Sequence, residues 1–91
     1  MYDLDIKEEA NRIFKKLAKK DPKQLKIIGK KLDEIRRNPE GYKPLRKPLH
    51  GFNRVHIDTS FVLIFQVDHA SKIITVFYYA HHDEVYEWRP K

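Results

Sequence analysis

The chain has no cysteine, so neither a disulfide nor a thiolate-ligated metal can hold it together. Three glycines and five prolines among 91 residues exclude a low-complexity or collagen-like chain. No apolar run approaches the roughly 20 residues of a membrane span, and Met1-Tyr2-Asp3 opens nothing like a signal peptide. A soluble, cytoplasmic protein with no membrane association is therefore the expectation. Asn and Gln are scarce beside Lys and Glu, a balance that suits a heat-loving host. What is present is charge and aromatic bulk. Five Tyr, five Phe and one Trp supply large buried area from few positions, which a chain this short needs. The net charge of +6 favours polyanionic partners, although a lysine-rich solvated surface or an acidic protein partner also accounts for it.

Tyr2, Leu4 and Ile6 alternate with Asp3 and Asp5, the period of a half-buried strand. Ala10, Ile13, Phe14 and Leu17 then fall at helical spacing, and Asp5 with Glu8 has the spacing of a capping box. Asp21-Pro22-Lys23-Gln24 starts a second helix, with an acid at the cap and proline in its first turn. Its apolar stripe is Leu25, Ile28, Leu32 and Ile35, and it stops before Asn38-Pro39. The loop from Glu40 to Gly51, rich in proline and basic residues, is expected to be irregular. Three strands follow over 53–58, 61–67 and 72–80, joined by the hairpin turns Asp58-Thr59-Ser60 and Asp68-His69-Ala70-Ser71. The order β-α-α-β-β-β predicts one α+β domain over residues 1–91, an antiparallel sheet with a helical hairpin on one face.

Arg54 and His56 lie two positions apart on a strand, so they share a face while Val55 and Ile57 take the other. His81-His82-Asp83-Glu84-Val85-Tyr86 closes the last strand. A guanidinium, imidazoles and a phenol around one concavity suit phosphodiester chemistry. The plainer reading is also available, because a solvent-facing strand histidine is most often an ordinary surface residue. A metal site is disfavoured by the lack of cysteine and of an i, i+4 histidine pair, so no metal or cofactor is expected. Trp88 is expected to pin the C-terminal segment to the core.

The chain resembles the RelE/ParE toxin superfamily, particularly RelE-like and YafQ-like messenger-RNA endonucleases of type II toxin–antitoxin modules. The resemblance lies in the element order, the approach from Lys43-Pro44-Leu45 to Gly51, the strands Asn53–Ile57 and Phe61–Asp68, and the terminal His82–Tyr86. It implies a short C-terminal helix, cleavage of mRNA in the ribosomal A site, inhibition of translation and neutralisation by a small antitoxin. Arg54, His56, His82 and Tyr86 fall on the positions it makes catalytic. Lys43, Arg46, Lys47 and His81 fall where it supplies RNA or phosphate contacts. Two positions depart from it: Val62 replaces a common arginine, and Ser60 a YafQ-type aspartate. The alternatives are a ParE-like, non-nucleolytic toxin that binds DNA gyrase, and a degenerate member that binds antitoxin or RNA without cutting.

Overall fold

Asp21 closes one helix and opens the next. In the computed structural model, which describes all 91 residues, α1 runs over Glu8–Lys20 and α2 over Pro22–Arg37. The Asp21 side chain accepts the Gln24 N–H at 3.1 Å, as its cap position predicts. The start of α1 differs from expectation. Its cap is Lys7, which makes no side-chain bond, so the Asp5–Glu8 box does not form. Glu8 and Glu9 in the first turn and Lys19 and Lys20 in the last still complement the helix dipole.

The hairpin covers one face of a five-stranded sheet of order β1-β5-β4-β3-β2. The strands are β1 Asp3–Ile6, β2 Lys43–Pro44, β3 Asn53–Ile57, β4 Phe61–Asp68 and β5 Ile73–His81. A short helix, α3, follows at His82–Val85. The last three strands form the expected antiparallel meander. β1, however, lies parallel to β5, so the sheet as a whole is mixed. The helical hairpin and the strands β2 to β4 all lie between them, a connection long enough for the chain to return in the same direction. The loop is also more ordered than its prolines suggest: Lys43 and Pro44 add an edge strand antiparallel to β3. Beyond it, Leu45 N–H bonds to Phe52 C=O, and Leu49 and Phe52 are buried. Gly51 turns the chain at φ +92, a conformation that side-chain-bearing residues rarely adopt.

Two cores flank the sheet. Phe14, Ile28, Leu32 and Ile35 pack against Ile57, Leu63, Phe65 and Val76 under the helices. On the opposite face Leu49, Phe52, Val62, Ile64, Val85 and Trp88 form a second cluster. β4 is apolar from Phe61 to Phe65 because both of its faces are covered. Each fully buried aliphatic or phenylalanine there contributes about 1.5–3 kcal/mol. A bulge adapts β5 to this arrangement. Ile64 pairs with Tyr78 and Phe65 with Val76, leaving Phe77 as the extra residue. Phe77 and Tyr78 consequently both pack towards the second cluster, beside Trp88. No helix is long and apolar enough to cross a membrane.

Candidate functional site

Strand alternation puts Val55 and Ile57 against the helical core and Arg54 and His56 on the opposite face. β2 then sets Lys43 directly across from Arg54. Like charges opposite one another on neighbouring strands repel. No acidic group offsets them: the five ion pairs of the molecule involve none of Lys43, Arg46 and Arg54. These three cations, with Pro44, Leu45 and Tyr86, line an open cleft of about 740 Å³. The Tyr86 hydroxyl accepts a hydrogen bond from Arg54 Nη1 at 2.6 Å, and the guanidinium carbon lies 5.8 Å from the Tyr86 ring centre. Both groups therefore meet across 32 residues of sequence.

Tyr86 reaches this position because the C-terminal segment is anchored on both sides of it. Val85 is wholly buried, and Trp88 packs edge-on against Phe52 at 5.4 Å and stacks on Tyr78 at 5.6 Å. The Trp88 indole N–H donates to Glu9 Oε1 at 3.0 Å, tying the segment to the start of α1. Arg89 Nη1 donates to the carbonyls of Tyr86 and Trp88, satisfying backbone acceptors just beyond α3.

The histidines divide. His56 is exposed on the Arg54 face, and its cross-strand partner is Val62. His82 opens α3, its N–H donating to the Ser60 carbonyl at 2.8 Å. Its Nδ1 lies 2.9 Å from Asp83 Oδ1, and its ring centre is 4.4 Å from that of His81. No hydrogen bond joins His82 to His56. His81 pairs with Phe61 at the end of β5, their rings edge-to-face at 5.6 Å. By strand alternation it takes the Tyr79 side, away from Arg54, and it does not line the cleft. Lys47 is exposed in the turn beyond Arg46 and also lies outside the cleft lining. Three contributors escaped the sequence reading. Pro44 and Leu45 form cleft wall, and Asp83 holds His82. An Asp directly following two histidines was the available signal for Asp83.

The departures also acquire a structural account. Val62 is completely buried in the second core, a place where an arginine would have to be desolvated. Ser60 serves through its backbone, as the acceptor for His82.

Known structures share this architecture. The chain superimposes on the YoeB/ParE toxin from Agrobacterium tumefaciens with a TM-score of 0.78 at 15% identity, covering 88% of this chain and 98% of that one. It matches a chain of the intact Escherichia coli RelBE toxin–antitoxin complex with a TM-score of 0.72 at 21% identity, over 89% and 96% of the two chains. The fold is thus that of the RelE/ParE toxins. Sequence makes the assignment specific. The family model for the ParE toxin of type II toxin–antitoxin systems, parDE, matches residues 4–86, and this chain belongs to that family. It is also 48% identical over 87 residues to "Putative toxin RelE4" of Methanocaldococcus jannaschii, covering 96% of this chain and 93% of that protein. The protein is accordingly a toxin of a type II toxin–antitoxin system.

Proposed function

We propose that this toxin is a ribosome-dependent mRNA endoribonuclease that inhibits translation. The observation that carries the reading is the cleft in which Lys43, Arg46 and Arg54 face solvent without a single carboxylate partner. Opposed cations of this kind are relieved by an anion, and a phosphodiester supplies one. The reaction is in-line attack of a ribose 2′-hydroxyl on the adjacent phosphate, giving a 2′,3′-cyclic phosphate and a free 5′-hydroxyl. It asks for a proton acceptor, a proton donor and cationic stabilisation of the dianionic transition state. Arg54 holds the phosphate, oriented by its bond to Tyr86. His56, on the same strand face, and His82, held by Asp83, both outside the cleft lining, share the proton transfers. Tyr86 positions the nucleotide, and Lys43 and Arg46 in the cleft contact the RNA backbone, a role that His81 and Lys47, outside the cleft, do not share at the scissile phosphate. The partners are the message, the ribosomal A site and a cognate antitoxin. The E. coli RelBE assembly supports a partner of the last kind.

Translating ribosomes programmed with a defined message, followed by primer extension, test this. Arg54→Ala is expected to slow cleavage about 10²–10³-fold, the typical effect of removing one oxyanion donor. His56→Ala and His82→Ala are each expected to cost about 10²–10⁴-fold. Wild-type rates in both histidine variants would sink the proton-transfer assignment. The ParE name of the family leaves a second reading, a non-nucleolytic toxin acting on DNA gyrase, against which Arg54, His56 and His82 argue. Intact message together with inhibited supercoiling selects it. Intact message with neither effect identifies a binding-only member.

A further inference from the structure

Where β5 passes into α3, three consecutive side chains converge. His81, His82 and Asp83 each offer one ligand atom, and these atoms lie within 4.8 Å of one another. Asp83 sits at the centre of the group. His82 Nδ1 is 2.9 Å from its Oδ1, and His81 Nδ1 is 3.5 Å from its Oδ2. His81 Nδ1 also accepts the Asp83 N–H at 3.2 Å, so in the neutral ring that nitrogen carries a lone pair. The Asp83 N–H occupies the single in-plane lone pair of that nitrogen, so a metal ion bound there replaces the cap bond. Tetrahedral coordination with bonds of about 2.0–2.2 Å separates neighbouring ligand atoms by about 3.3–3.5 Å. The His81–carboxylate distance of 3.5 Å matches that value, and the 2.9 Å His82 contact has the length of a hydrogen bond whose proton a bound ion displaces. The rings are preset by structure: His81 ends a paired strand against Phe61, and the His82 N–H is fixed on Ser60.

We infer that His81, His82 and Asp83 form a binding site for a late first-row divalent metal ion, zinc or nickel. Two imidazoles and one carboxylate on one side of the ion leave its other positions to water. Three ligands at an accessible position make the site reversible rather than part of the folded framework. The group lies outside the Arg54 cleft lining. One consequence rests on the endonuclease reading: an ion on His82 removes a proton-transfer group, so the loaded form is the inactive one.

The site is tested directly by titrating Zn²⁺ and Ni²⁺ into the purified full chain by calorimetry. One equivalent of each ion is expected to bind. His81→Ala, His82→Ala and Asp83→Asn should each weaken binding at least tenfold. His69→Ala, which removes a histidine bonded to Tyr2 and remote in sequence, should leave it unchanged. Because His81→Ala also loosens the α3 cap, imidazole ¹⁵N spectra of the wild-type chain give an independent readout, with His81 and His82 shifting on loading and His50 and His69 not. Absence of binding, affinity indifferent to His81→Ala and Asp83→Asn, or shifts confined to other histidines overturns the assignment. A chain that binds zinc as described and cuts no message retains the metal site and loses only the endonuclease reading.

Discussion

Trp88 is the only tryptophan, and replacing it with alanine tests whether the second core holds the functional segment in place. The side chain is 9% exposed and touches three aromatic rings, those of Phe52, Phe77 and Tyr78. Truncating a buried tryptophan costs about 3–5 kcal/mol, combining lost transfer energy with the cavity left behind. A domain of 91 residues has roughly 5–14 kcal/mol in total, so the variant should fold while losing a large share of its stability. Urea unfolding followed by far-ultraviolet circular dichroism measures this. With a slope of about 1 kcal/mol/M, the midpoint should fall by about 3–5 M. Trp88→Phe retains ring packing but loses the bond to Glu9, and should cost less than half as much. The functional consequence follows from position, since His82 and Tyr86 ride on the same segment. A Trp88→Ala loss below about 1 kcal/mol would refute the claim that this cluster is a genuine core. Wild-type unfolding monitored by Trp88 fluorescence should coincide with the dichroism transition, because β4 belongs to both cores.

Three further outcomes are expected. Tyr79→Phe should cost about 1–3 kcal/mol, because the buried Gln24 amide loses the hydroxyl that accepts from it at 2.6 Å. Thermal melting checks this, and Gln24→Leu combined with Tyr79→Phe should recover part of the loss. Val62→Arg should cost at least about 3 kcal/mol by placing an unpaired charge in the second core; an unchanged melting temperature would contradict that placement. Hydrogen bonds from the Ser71 side chain and N–H hold the Asp68 carboxyl below its ordinary value of 3.8. Its contribution is therefore present above that value and lost as the pH falls further. The stability difference between wild type and Asp68→Asn should accordingly shrink on acidification below pH 3.8 in a pH series of urea melts.

Local rules reached much of the fold. The period-2 pattern that separates Arg54 and His56 from Val55 and Ile57 needs nothing beyond strand geometry, and Asp21-Pro22 specifies its helix start within four residues. What stayed hidden depends on partners distant in sequence. β1 chooses its direction by pairing with β5, some 70 residues later. The strand at Lys43-Pro44 exists because β3 presents an edge to it, not because its two residues favour extension. The bulge at Phe77 answers the demand of Trp88 for neighbours. At the site, the residue types were legible and their partnerships were not. No spacing rule announces that Tyr86 reaches Arg54, or that His81 turns to the other side of the sheet from it.

The ends of the sheet bear on how the molecule behaves in a crowded solution. One border is only two residues long, and its second residue is a proline with no N–H to offer. The other is four residues long and carries exposed Asp3 and Asp5. A neighbouring copy trying to continue the sheet meets too little backbone on one side and negative charge on the other. Both edges are thereby blunted against further strand pairing. Cross-β growth should start only after Lys43-Pro44 has peeled away from β3, which makes that two-residue border the gatekeeper of solubility.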